Sequence, residues 1–257
     1  MRNMERVVNV YKPQGMTPLQ AIDAIRDRYP EYRSERMTYA GRLDPMAEGV
    51  LVILVGDAVH KKETYLRLDK EYEADIVFGI GTDTHDLLGM PIICNNIKID
   101  SDIVRSGMEQ MIGSFEYALP IYSSKPVNGK PLFQWAREGR VSEIKIPKRT
   151  MHVHVMEFIG MNVMEKEELI SRVHALIKNV RGDFRQNEVL HKWDVVTTGA
   201  DMNETLPVVS MRIDCASGTY VRTLVHELGK RLGADATVMR LIRTSVGDHH
   251  ICDAIRL

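Results

Sequence analysis

Alternation of apolar and polar residues is clearest between Lys70 and Ile80. Tyr72, Ala74, Ile76, Phe78 and Ile80 fall on one side, and Glu71, Glu73 and Asp75 on the other. A period of two predicts a strand with one face against a core. The same alternation in Pro207–Cys215 turns Val209, Met211, Ile213 and Cys215 inward, and Val7–Tyr11 and Met151–Ile159 also read as strands. Val50 to Gly56 is apolar nearly throughout, the pattern of a strand buried on both faces. Spacing of three and four predicts helices. One begins at Thr17-Pro18, with Leu19, Ile22 and Ile25 on its buried side, and ends near Tyr29-Pro30. Others are expected over Ala58–Leu68, over Ser101–Met111 with Ser101 as cap, over Glu165–Val180 and over about Tyr220–Leu232. Arg181 to Glu204 is polar and without a period.

Composition narrows the class without naming a function. The chain has 257 residues, 44% of them hydrophobic and 27% charged, and a net charge of -1. That suits one large domain or two small ones and argues against a protein coated in positive potential. Three scattered cysteines, Cys94, Cys215 and Cys252, fit neither a disulfide framework nor a zinc site. The opening residues lack the apolar run of a signal peptide, and no stretch reaches the ~18 apolar residues of a membrane span, so a soluble cytoplasmic protein is expected. Charge is uneven all the same. Tyr122 to Thr150 carries Lys125, Lys130, Arg137, Arg140, Lys145, Lys148 and Arg149 against Glu138 and Glu143, with Tyr122, Phe133 and Trp135 interleaved. Such a run is either a solvated face or a surface for phosphates and splayed bases.

Candidate chemistry gathers at a few places. Asp44 lies in a loop between Gly41 and Pro45 that feeds the buried strand from Val50, and an Asp-Pro pair there is either a plain turn or a constrained carboxylate. Tyr72, at the entrance of the alternating strand, is either a core ring or one lining a pocket. Arg222 falls in the first turn of a helix, where the dipole disfavours a cation, so an anion is expected beside it; Asp214 or solvent would serve. His152 and His154 share a strand face but have no third ligand nearby. Gly79-Ile80-Gly81-Thr82-Asp83 lacks the Lys-Ser/Thr ending of a phosphate loop.

Taken in order, Lys12-Pro13-Gln14-Gly15-Met16-Thr17, Gly41-x-Leu43-Asp44-Pro45-x-Ala47-x-Gly49-Val50-Leu51, Lys70-Glu71-Tyr72, Gly79-x-Gly81-Thr82-Asp83-Thr84-x-Asp86 and Gly218-Thr219-Tyr220-Val221-Arg222-Thr223-Leu224 resemble the motifs of the TruB-like pseudouridine synthases. The resemblance implies an α/β (α+β) fold: a large mixed, mainly antiparallel sheet flanked by helices, with a catalytic cleft across it. The strands at 49–56, 70–80 and 207–215 are then expected as neighbours around that cleft. It also implies isomerisation of uridine to pseudouridine in RNA, at position 55 in the T-loop of tRNA, on a flipped-out nucleotide and without a cofactor. Carried over by motif, Asp44 is the catalytic carboxylate and Arg222 its partner. Tyr72 stacks on the base and helps move the C5 proton, Tyr220 and Leu241 line the pocket, and Lys12 lies near the site. Tyr39 stands where relatives have a histidine that packs into the RNA, and Ile242 where an arginine is usual. One catalytic domain over 1–257 is expected, with a thumb-like RNA-binding segment at about 118–150 and an unmatched insertion at about 161–205. No stretch fits the PUA-type domain that many relatives add. A monomer whose partner is the tRNA T-arm is expected; a different RNA site, or a silent RNA-folding chaperone on the same scaffold, remain as alternatives. A carboxylate hydrolase would need a second placed carboxylate, and Asp83 and Asp86 give no independent signal for one.

Overall fold

A computed structural model describes residues 5–94, 98–199 and 202–257. Along the first part of the chain lie β1 (Glu5–Lys12), α1 (Pro18–Arg28), β2 (Met37–Ala40), β3 (Ala47–Gly56), α2 (Lys62–Leu66), β4 (Lys70–Phe78), β5 (Ile80–Thr82) and β6 (Pro91–Ile93). They are followed by α3 (Ser101–Glu109), β7 (Gly113–Ala118), a small hairpin of β8 (Pro126–Val127) and β9 (Lys130–Pro131), α4 (Leu132–Arg137) and the long β10 (Lys148–Glu165). The last part holds α5 (Lys166–Lys178), α6 (Gln186–Thr198), β11 (Thr205–Cys215), α7 (Val221–Arg231), β12 (Ala236–Val246), β13 (His249–His250) and β14 (Ile255–Arg256).

One mixed, mainly antiparallel sheet organises the molecule, in the order β14-β1-β3-β12-β4-β11-β10-β7, with β2 added on β3 and β13 on β12. β4 and β11 are neighbours as expected, but β3 does not touch β4. β12 lies between them, parallel to β3 and antiparallel to β4. Register shifts at Val238/Arg240 and Arg243/Ser245 break its period of two, which is why the stretch does not read as a strand.

Period-two alternation divides the core between the two faces of the sheet. Leu51, Ile53, Val55, Tyr72, Ala74, Ile76, Val209, Met211 and Ile213 join one cluster beneath α1, α3 and α7. On the other face, Val77 and Val208 pack with Leu169, Val173, Ile177 and Trp193 of α5 and α6, while Val50, Val52 and Leu54 close against Ala40, Ala58 and Val246.

Local departures from the expected elements have local causes. α1 starts with a capping box between Thr17 and Gln20, but Leu19 is exposed and Ala21 is buried with Ile22 and Ile25. Asp100, not Ser101, caps α3 by accepting from Asp102 N and Ile103 N, which turns Val104 and Met108 inward and leaves Ile103 outside. Residues 57–61 form a 3-10 turn, and only 62–66 of the stretch from Ala58 to Leu68 are α-helical. The polar stretch after Arg181 contains α6, held by a buried Trp193 whose Nε1 donates to Gly89 O at 3.1 Å. Residues 200 and 201, inside the segment 161–205, lie outside the described residues.

Candidate active site

Two buried cations build the loop that carries Asp44. Arg243 on β12 is 1% exposed; its Nε donates to Val50 O at 2.7 Å, and its two terminal nitrogens donate to Arg42 O and Gly41 O at 3.2 Å each. Lys12 has no exposed surface, and its Nζ donates to Pro13 O, Met16 O and Ala47 O at 3.0, 2.8 and 2.6 Å. A planar fork and a tetrahedral ammonium thus tie both ends of the loop by its carbonyls. Gly49 lets β3 and β12 meet here: its φ is +107°, and a Cβ would stand 2.2 Å from Arg243 O. The Asp44 side chain, 34% exposed, looks into the cleft from this fixed loop.

Arg222 meets Asp44 from the first turn of α7. Its Nη2 lies 2.7 Å from Asp44 Oδ2, while its Nη1 donates to Thr84 O at 2.5 Å and stands 3.6 Å from Asp86 Oδ2. The contact with Asp44 is therefore single rather than two-toothed, because the fork is shared with the loop of residues 82–90. Asp86 is itself fixed: its Oδ1 accepts from Thr84 Oγ1 at 2.6 Å and from Leu88 N at 3.0 Å. Asp44 and Asp86 supply the anions that a cation at a helix start requires, and Asp214 is not among them.

The cleft is narrow, about 10 Å³, and is lined by Asp44, Met46, Asp86, Arg222, Val238 and Leu241 among others. Tyr72 is buried, paired in register with Arg243, and feels the charge of Asp44. Tyr220 is half-buried, within the fields of Arg149, Asp44, Arg222 and Arg42. Arg149 reaches the rim, packing on Gly218, where any Cβ would clash with its guanidinium. Tyr39 stands further out; Arg42 Nη2 donates to its hydroxyl at 3.1 Å, and Lys62 Nζ lies 5.5 Å from its ring centre. Of the expected site residues, Lys12 is the one that cannot meet a substrate directly, since it is enclosed and bonded to three carbonyls.

Burial sets the electrostatics. It pushes the Lys12 ammonium down to about 7, with Asp44 pulling the other way and Arg243 adding to the fall. Lys70, enclosed beside the loop, is pushed down to about 8 by burial and then by Arg243. Burial also raises the Tyr72 hydroxyl, against the pull of Arg243, so Tyr72 is a neutral phenol near pH 7. For Arg222, burial acts to lower the value, but Asp44 and Asp86 outweigh it and the guanidinium is held more firmly charged. Burial pushes the Asp86 carboxyl up, opposed by Arg222 and Thr84.

Sequence reasoning missed Arg243, Asp86, Thr84 and Lys70 as members of this site. Asp86 and Thr84 lie in a motif stretch that was visible without a role, and Arg243 in a strand hidden by its bulges. In the segment 118–150, Asn128-Gly129 turns the β8–β9 hairpin in the left-handed region, and α4 follows. Trp135 is buried there, donating to Val127 O at 3.1 Å under Lys130 and Arg140, which leaves Tyr122 and Phe133 as the more open rings. His152 and His154 touch edge to face but turn to Ser114 and Asp69 respectively.

Residues 30–182 match the family described as TruB family pseudouridylate synthase (N terminal domain). The chain is 31% identical over 257 residues to tRNA pseudouridine synthase B of Trichormus variabilis, covering 99% of this chain and 71% of the relative. It is 28% identical over 254 residues to the protein of the same name from Caldicellulosiruptor saccharolyticus, again covering 99% and 71%. Among solved structures, a Cbf5-Nop10-Gar1 complex contains a chain that matches 98% of this one with a TM-score of 0.60 at 19% identity, a likeness of fold. This chain spans about half of that one, 52%.

Proposed function

The chain belongs to the TruB family of pseudouridylate synthases and is an enzyme that isomerises uridine to pseudouridine in tRNA; within that activity we propose that the target is uridine 55 of the T-loop and that Asp44 is the catalytic carboxylate. The observation that carries this reading is the Asp44–Arg222 pair at 2.7 Å, open to the cleft beside Leu241. The reaction breaks the N1–C1′ bond, turns the uracil and joins C5 to C1′, and the C5 proton leaves as N1 gains one. A single oriented carboxylate suffices as nucleophile or base. Arg222 fixes its orientation, and the buried Arg243, with Lys70 and a partly protonated Lys12, makes the surroundings favourable to the negative uracil that forms when the sugar bond opens. A neutral, enclosed Tyr72 suits stacking on a flipped base and not removal of the C5 proton, which falls to Asp44 or water. Tyr220 and Leu241 flank the base, Lys12 acts through the loop, and Tyr39, Arg42 and Arg149 face the RNA at the rim.

The segment at about 118–150 serves as the thumb. We take the protein to work in the cytoplasm as a monomer, without a cofactor; no helix among the described residues is long and apolar enough to cross a membrane. Tyr39 in place of histidine favours one second reading, a different uridine of the same RNA class. Release of tritium from C5-labelled uridine in tRNA, followed by mapping of the modified position, tests both. Asp44→Asn should bind tRNA within a few-fold of wild type and release no tritium. Turnover near wild type would move the chemistry away from Asp44.

A further inference from the structure

The connection between α5 and α6, with the helix-end residues 178 and 186, forms an elbow that touches the Asp44 loop on one flank and the 118–150 segment on the other. Toward the Asp44 loop, Arg181 N donates to Gly15 O at 2.9 Å and Gln14 Nε2 to Leu176 O at 3.1 Å. Gly15 in turn donates to Pro45 O at 2.8 Å, so two backbone hydrogen bonds connect the elbow to the residue after Asp44. The approach is close enough that a Cβ on Gly15 would stand 2.4 Å from Asn179 O. On the other flank the elbow holds the 118–150 segment. Arg137 Nη1 lies 3.3 Å from Asp183 Oδ2, and its Nη2 donates to Asp183 O at 2.6 Å. Arg185 places its guanidinium 4.4 Å from the Tyr122 ring centre and pairs with Asp83 through two nitrogens at 3.2 Å.

The elbow is rigid for its length. Gly182 and Arg185 both hold left-handed φ, +109° and +63°. Gln186 closes the turn on itself, donating to Val180 O and Gly182 O and accepting from Phe184 N. A non-glycine residue kept at positive φ is maintained by its surroundings, here by the contacts of Arg185 with Tyr122 and Asp83. With Arg185 and Asp183 paired in this way, Lys178 and Arg181 are the elbow's remaining cations. Both are exposed, and neither pairs with a carboxylate among the described residues. Lys178 also borders a concavity of about 580 Å³ floored by Ile177, Val180 and Leu190.

We propose that this elbow is a second RNA-contacting wall beside the Asp44 loop, in which Lys178 and Arg181 hold backbone phosphates of the strand that enters there. The inference rests on the RNA-modifying reading above and gives a role to the segment at about 161–205. Unpaired cations on a rigid edge, fixed to a carboxylate loop, suit a polyanion that must be held still while one nucleotide turns.

The test combines Lys178→Ala with Arg181→Ala in the full chain and measures tRNA affinity across a salt series, together with steady-state tritium release. The logarithmic salt slope should fall by about 1.4–1.8, two contacts at roughly 0.7–0.9 each, and KM for tRNA should rise several-fold with kcat unchanged. The swap Lys178→Arg with Arg181→Lys should restore both. Wild-type slope and KM in the double alanine variant would overturn the proposal. So would a loss confined to kcat, which would mean that the elbow acts only by bracing the Asp44 loop. Failure of the wild type to turn over tRNA, with the slope difference intact, would sink the assigned reaction and leave the RNA-binding wall standing.

Discussion

Replacing Arg222 by lysine keeps the charge and removes the fork, and the structure says what that should do. The guanidinium is 7% exposed and divides itself among Asp44 at 2.7 Å, Thr84 O at 2.5 Å and Asp86 at 3.6 Å. An ammonium on a shorter, unbranched reach cannot span these three acceptors, which lie on two different loops. If lysine turns to Asp44, the Thr84 carbonyl is left buried without its donor, at about 1–3 kcal/mol of stability. If it turns to Thr84 and Asp86, Asp44 swings free, and a misplacement of about 1 Å costs on the order of a hundredfold in rate. Either way Arg222→Lys should turn over tRNA roughly a hundredfold more slowly under single-turnover tritium release at saturating RNA, and melt a few degrees lower. Turnover within twofold of wild type, whatever the melting temperature, would refute the reasoning and reduce Arg222 to a structural cation.

Gly49→Ala should lower stability by on the order of 3 kcal/mol in denaturant titration, since it places a Cβ 2.2 Å from the Arg243 carbonyl at a φ of +107°. A wild-type midpoint would mean that β3 and β12 separate easily. The Lys12 ammonium has a free value of 10.5 and a folded value of about 7, so in that window the unfolded chain binds more protons and stability rises with pH. Below about 7 the penalty of burying the charge is complete. The stability of wild type relative to Lys12→Met should therefore climb from about pH 7 towards 10, and a flat difference in melts taken at each pH would place that proton elsewhere. Neutralising Lys145, Lys148 and Arg149 together should reduce the salt slope of tRNA binding by roughly 1–3, with Arg149, at the cleft rim, contributing most and Lys148, 3.7 Å from Glu116, least. An unchanged slope would mean solvated charges.

Much of this architecture could be read before any coordinates. The alternation in Lys70–Ile80 and Pro207–Cys215 places two adjacent strands, and the misplaced cation at Arg222 points to an anion that turns out to be Asp44. What escaped the sequence has definite physical reasons. Arg243 is a cation buried on backbone carbonyls, as is Lys12, whose place near the site is expected from its motif but whose carbonyl contacts are not, and neither periodicity nor charge pairing gives a signal for a partner that every residue possesses. Asp86 joins Arg222 across a long sequence distance, which a local pattern cannot show. β12 is disguised by an exposed Arg240 and a buried Arg243 at positions where a regular strand would alternate otherwise. The α6 helix was missed because its amphipathic face rests on Val189, Trp193 and Thr197 alone, too sparse a stripe to stand out.

The position of β12 in the sheet also bears on how the chain is made. Its partners β3 and β4 emerge early in synthesis, yet residues 236–246 must follow before the two can be joined. Until then the sheet exists as two halves with apolar inner edges, Val50–Val55 on one and Ile76–Phe78 on the other, and such unjoined edges are where slow closure and misassociation begin. Arg243 arrives on that same strand, so during this interval the loop that carries Asp44 is held by Lys12 and lacks the contacts of Arg243 to Gly41, Arg42 and Val50. The loop that carries the carboxylate is thus completed only by one of the last strands to be made.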